Sequence, residues 1–188
     1  MKAGFVGRIV VGLFAVLIIT HTPLFSQQNF TLEDAFLKYV FYPKDVYGIN
    51  WMNDGKYYTS LESDAGDSKV ISKFDITTGE KVEEILRSEN LRNEISGDTL
   101  RIDDYAFTAD ETKVLITTQQ EPIYRRSTRA HFYIYDLKTK ALTSIDNEKK
   151  QMYASLSPAG DKVAYVMDNN LFIKDLNSNT IPSVTSDG

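Results

Sequence analysis

The chain has 188 residues, a formal net charge of -5, 42% hydrophobic residues and no cysteine. That length suits one domain or part of a larger one, and the acidic balance argues against nucleic acid or anionic lipid as a partner. Without cysteine there is no disulfide framework, thiolate zinc site, cysteine nucleophile or lipid-modified N-terminal cysteine.

Residues 1–26 read as a signal peptide. Lys2 and Arg8 form a positive n-region, and residues 9–19 are an uninterrupted run of apolar residues and Gly12. The run is short of the ~20 residues that a membrane span needs. Cleavage is expected between Ser26 and Gln27, with an uncleaved anchor as the alternative. Either way the body is exported, and an exported chain without cysteine suits a bacterial periplasm or cell surface. Removing the leader leaves 19 basic against 26 acidic side chains, a charge of -7.

Thr31-Leu-Glu-Asp34 is a capping-box-like helix start, with aspartate in place of glutamate or glutamine. Leu32, Phe36 and Val40 then recur at helical spacing, so a short helix is predicted over residues 32–40, ended by Tyr42-Pro43. Residues 27–46 form this helix and a connecting segment.

From residue 47 onward the pattern is β, in three copies of one phrase. Trp51-Met-Asn-Asp-Gly-Lys-Tyr-Tyr is followed by Phe107-Thr-Ala-Asp-Glu-Thr-Lys-Val-Leu and Leu156-Ser-Pro-Ala-Gly-Asp-Lys-Val-Ala. A second phrase follows each: Phe74-Asp-Ile-Thr-Thr-Gly, Tyr135-Asp-Leu-Lys-Thr-Lys and Ile173-Lys-Asp-Leu-Asn-Ser-Asn. Aspartate, asparagine and glycine suit the turns, because they tolerate positive φ. Lys56, Lys113 and Lys162 fall about 50 to 57 residues apart, within the period of propeller blades. A sheet that cannot bury both faces alone does so by stacking on its neighbours. The predicted class is all-β, with about three blades of an incomplete β-propeller over residues 47–188. A plain antiparallel sandwich would give similar strands. Three blades do not close a ring, so a fragment of a longer chain is expected.

Between the β-patterns at residues 114–118 and 132–137 lies a connection longer than a tight hairpin needs. It carries Arg125, Arg126 and Arg129, three positive charges in an acidic chain. Long connections of this kind are often functional; the alternative is a solvated hairpin tip.

Phe30-Thr-Leu-Glu-Asp-Ala-Phe-Leu, the Trp51 phrase, the strand pair of residues 105–118 and Tyr124-Arg-Arg-Ser-x-x-Ala-x-x-x-x-Tyr135-Asp-Leu together resemble the dipeptidyl peptidase IV family of prolyl oligopeptidase-type serine peptidases. The resemblance runs from about Phe30 to Gly188. It implies an eight-bladed propeller over a C-terminal α/β-hydrolase domain of the same protein, with the active site between the two. It further implies that an arginine of the second blade hydrogen-bonds a carbonyl of the bound peptide. Alignment on Tyr135-Asp136-Leu137 places that arginine at Arg125, with Tyr124 and Arg126 as neighbours. Arg126 departs from the aromatic or histidine character that the family has there. The family's glutamate pair, which grips the substrate's free amino terminus, and its Ser-Asp-His triad would fall past Gly188. No Gly-x-Ser-x-Gly elbow occurs here.

Other candidates read as structural. His131 is the one histidine beyond the leader and has no plausible nucleophile beside it. Glu62, Asp64 and Asp67 lack the closing glutamate of a calcium loop. Asp103 and Asp104 face opposite sides of a strand and do not converge. No metal or cofactor is expected.

What the resemblance implies is the N-terminal propeller part of an exported serine-type dipeptidyl peptidase, gating and binding peptides with a free N-terminus and releasing Xaa-Pro or Xaa-Ala; that substrate class does not come from composition or period. The catalytic residues lie outside this sequence, no nucleic acid is involved, and a homodimer of the full-length protein stays open. The alternative is a non-catalytic propeller that binds a partner protein.

Overall fold

The computed structural model describes residues 31–38, 40–41, 47–64, 68–93, 95–146 and 148–188. The leader, its cleavage point and Asp67 lie outside the described residues. The chain divides into two units between Lys44 and Asp45.

In the first unit, α1 (Leu32–Phe36) starts at the capping box that the sequence predicts. The Thr31 hydroxyl accepts from Asp34 N–H at 3.1 Å, and the Asp34 carboxylate accepts from Thr31 N–H at 3.2 Å. Two N–H groups at the helix start are thereby satisfied. The helix stops four residues short of the predicted Val40. Lys38 N–H donates to the Glu33 carbonyl and Val40 N–H to the Asp34 carbonyl, over five and six residues, and these wide turns unwind its end.

The second unit is three antiparallel meanders. The first sheet is β1 (Tyr47–Trp51), β2 (Tyr57–Ser63), β3 (Lys69–Asp75) and β4 (Lys81–Arg87), in chain order. After a single 3-10 turn, Ser88–Asn90, a connector leads into the second sheet. That sheet is β5 (Asp104–Phe107), β6 (Lys113–Tyr124), β7 (Ser127–Asp136) and β8 (Leu142–Ser144). The third is β9 (Met152–Leu156), β10 (Lys162–Met167) and β11 (Asn170–Asp175).

The two repeated phrases are two repeated turns. In the first, Gly55, Glu111 and Gly160 each adopt positive φ, and their N–H groups bond the carbonyls of Met52, Thr108 and Ser157. In the second, one carboxylate oxygen of Asp75, Asp136 or Asp175 accepts from the N–H groups two and three residues on, at 2.7 to 3.1 Å. Each of these turns closes on a positive-φ residue: Gly79, Lys140 or Asn179. The same local chemistry therefore bends the chain at the same point of each sheet.

The sheets stack through alternate residues. Val114, Ile116, Tyr133 and Tyr135 of the second sheet join Leu61, Ile71 and Leu86 of the first and the connector residues Leu91, Leu100 and Ile102 in one buried cluster. Leu115, Phe132 and Ile134 point the other way, into a cluster with Ile145, Val163 and Tyr165. Both faces of the second sheet are thus buried, one against each neighbour, as the twofold strand period requires. The turns also touch from sheet to sheet. Asn53 bonds the Ala109 carbonyl and the Glu111 carboxylate, and Gly160 approaches Thr108 so closely that a Cβ there would lie 3.1 Å from it. Consecutive antiparallel meanders, two of four strands and one of three, packed face to face are the blades of a propeller rather than the halves of a sandwich.

Candidate functional site: the arginine-tipped ribbon

The segment read as a long loop is not a loop. β6 and β7 run on past the blade as a two-stranded ribbon, pairing from Lys113 with Asp136 out to Tyr124 with Ser127. Arg125 and Arg126 are the two residues of the closing turn. The ribbon is rich in β-branched and aromatic residues, which favour strand. Pro122, which cannot donate to a ladder, is exposed on it. Two register shifts, between Thr118 and Glu121 and between Pro122 and Tyr124, each give β6 an extra residue over β7. Gln119 in the first shift has a φ of 51°. Bulges of this kind twist and re-aim a strand pair.

The base of the ribbon is tied down by charge. The N–H of Gln120, freed by the bulge, donates to the Asp103 carboxylate at 2.9 Å. Lys150 reaches across from the start of the third blade to the Gln119 carbonyl at 2.7 Å and the Glu121 carboxylate at 3.0 Å. Arg129 pairs with the same carboxylate. Lys150 first, and Arg129 second, hold the Glu121 carboxyl below its ordinary pKa. Of the three arginines singled out in the sequence, Arg129 is therefore neutralised in place. Arg125 and Arg126 are exposed and pair with no carboxylate among the described residues.

The other candidates fall to structural roles. Glu62 pairs with Lys81 and Asp64 with Arg87, both across the first sheet. Asp104 accepts from Tyr105 N–H at 2.8 Å, while Asp103 accepts from Gln120 N–H of the ribbon. His131 sits in β7 opposite Thr118, and its Nδ1 is buried without a hydrogen-bond partner among the described residues. Two contributors were missed. Tyr153 contacts Ser127 beside the tip, at 3.0 Å between hydroxyls, and Lys150 anchors the base. Neither carries a local signal, because each acts on residues 26 to 31 positions away.

Residues 108–188, which include the whole ribbon, match the family described as the dipeptidyl peptidase IV (DPP IV) N-terminal region. A probable dipeptidyl-aminopeptidase B of Emericella nidulans is 29% identical over 169 residues, covering 87% of this chain and 18% of that protein. The protein of the same description from Phaeosphaeria nodorum is 35% identical over 83 residues, covering 43% of this chain and 9% of that one. The crystal structure of Porphyromonas gingivalis dipeptidyl peptidase 4 superposes with a TM-score of 0.67 at 31% identity, over 80% of this chain and 21% of that one. Over residues 108–188 the chain belongs to the N-terminal region of the dipeptidyl peptidase IV family. Its three sheets are propeller blades of that family, and the arginine-tipped ribbon is an extension of the second blade. The chain spans about a fifth or less of the length of these relatives.

Proposed function

We propose that this chain is the exported N-terminal part of a serine-type dipeptidyl peptidase, and that Arg125 binds a carbonyl of the peptide substrate. In this reading the propeller admits peptides with a free N-terminus, and a C-terminal hydrolase domain of the same protein releases Xaa-Pro or Xaa-Ala. The observation that carries it is a guanidinium with no carboxylate partner among the described residues, at the tip of a braced ribbon, at the position aligned on Tyr135-Asp136-Leu137. Guanidinium is permanently charged and offers its donors in a fixed fork. A charge-assisted bond from it to a carbonyl contributes about 1.5 to 3 kcal/mol.

Steady-state kinetics on the full-length protein with a Gly-Pro-anilide substrate test this. Arg125→Ala is expected to lower kcat/KM by roughly 10- to 150-fold, the same energy read as a rate. Arg125→Lys keeps the charge, loses the fork and recovers only part of the loss. Arg126→Ala, at the neighbouring turn position, fixes the register. If Arg126→Ala is the damaging change, the alignment is off by one. If neither alanine variant moves kcat/KM by threefold, or if the full-length protein cleaves no N-terminal dipeptide, a binding module replaces this reading. Export is part of the same proposal, and N-terminal sequencing of the mature protein checks it against a start at Gln27.

A further inference from the structure

A ribbon that stands clear of its blade can present an arginine only if its outer end is held. The base anchors at Asp103, Glu121 and Lys150 stop short of the last rung, Tyr124 with Ser127. Among the described residues, one side chain from outside the ribbon hydrogen-bonds that rung. It is Tyr153 of β9, whose hydroxyl lies 3.0 Å from Ser127 Oγ.

Tyr153 is itself set by an unusual backbone. Two residues earlier, Gln151 is fully buried and exchanges both backbone hydrogen bonds with Ala130, at 2.8 and 2.9 Å. That bridge fixes the start of the third blade against β7. β9 then bulges: Ala164 pairs with Ser155 but Val166 with Met152, leaving one residue over. Tyr153 lies in this bulge at a φ of 55°, a conformation bulky side chains rarely adopt. The residue is 60% exposed, so burial does not account for its place there. The bulge instead turns the ring toward the ribbon, where it joins Gln120, Thr128 and Phe132 in lining a cavity of about 180 Å³ between the second and third blades.

The geometry points to Tyr153 and Ser127 as the clamp that positions Arg125, a role that rests on the substrate reading above. Tyrosine suits it for an electrostatic reason. Its neutral hydroxyl fixes the rung without offering a counter-charge, whereas a carboxylate at this point would compete with the substrate carbonyl for the guanidinium. The ribbon thus has a charged anchor at its base, where Arg129 is already neutralised, and a neutral one at its tip.

The experiment combines hydrogen exchange with kinetics in the full-length protein. Tyr153→Phe keeps the ring and removes only the hydroxyl, and Ser127→Ala removes its partner. Each is expected to speed amide exchange at residues 121–130 by threefold or more and to lower kcat/KM about fivefold. Ser127→Thr, which retains a hydroxyl, should stay near wild type in both. In an Arg125→Ala background, Tyr153→Phe should cost no further activity, because it acts through the arginine. Unchanged exchange in both Tyr153→Phe and Ser127→Ala overturns the clamp. So does an equal loss of activity with and without Arg125, which would place Tyr153 on the substrate itself. If Arg125→Ala is silent while exchange still rises, the clamp stands and the substrate reading falls.

Discussion

His131 is the residue at which the fold meets pH. Burial chiefly, and the Lys150 ammonium next, hold its imidazole below the usual pKa of 6.5. The folded value lies under the unfolded one, so in between the unfolded chain binds more protons. The contribution of neutral His131 to stability is therefore full above pH ~6.5 and is lost as pH falls below it. His131→Gln is expected to narrow the difference in Tm between about pH 7.5 and 5.5, a window above most carboxylate titration. Thermal melts of both proteins at the two pH values check this, and an unchanged difference would show that His131 is not the titrating group. The sequence reading of His131 as structural rested on there being no nucleophile near it. It could not tell that Arg129 would be neutralised while Arg125 stayed unpaired, because Glu121 and Lys150 meet Arg129 only once bulge and blades are in place.

At the scale of elements, the second repeated turn offers an internal comparison. Its closing residue has positive φ in every blade but is glycine only in the first, at Gly79, and lysine in the second, at Lys140. A left-handed residue with a side chain costs roughly 1–2 kcal/mol, partly offset in glycine by its greater unfolded freedom. Lys140→Gly should therefore raise Tm, with a gain of up to about 1 kcal/mol. Gly79→Ala should lower it, although a Cβ there meets nothing within 4 Å, because the cost lies in the backbone alone. Paired thermal melts with shifts of opposite sign are the expected result, and equal signs would refute the account. These turns were legible because their aspartates and φ-tolerant residues act within a few positions. The ribbon was read as a loop because its hydrophobic alternation is broken by the two bulges and by Pro122. The helix was read four residues too long, because the Leu32, Phe36 and Val40 spacing says nothing about the wide hydrogen bonds that unwind its end.

For the unit as a whole, the second blade is shared property. Ile116 is fully buried against the first blade and Ile134 is buried against the third, although they belong to paired strands. Truncating either to alanine should cost about 2–5 kcal/mol. The two losses should also be felt in different places. Ile116→Ala should speed hydrogen exchange in the first and second blades, and Ile134→Ala in the second and third. Acceleration confined to the second blade in both variants would mean that the blades do not stabilise one another. That three blades would form was readable from a phrase repeated in order. Which residues join them was readable only as alternation, since the partner clusters are assembled by topology. The bridge from Gln151 to Ala130 has no sequence signal at all.

The ribbon's pleat also sets how far its tip can stand from the blade. One added residue in each strand would lengthen it by ~3.4 Å and turn the arginines to the opposite face; two in each would lengthen it by ~7 Å and turn them back. Reach at a given facing is therefore available only in coarse steps. Bulges provide the fine adjustment: β6 has 12 residues where β7 has 10, and each of the two extra residues rotates the aim of the tip with almost no change in its height. Related proteins whose ribbons reach nearer or farther should differ here by whole residue pairs, and those whose ribbons aim at another angle by a bulge.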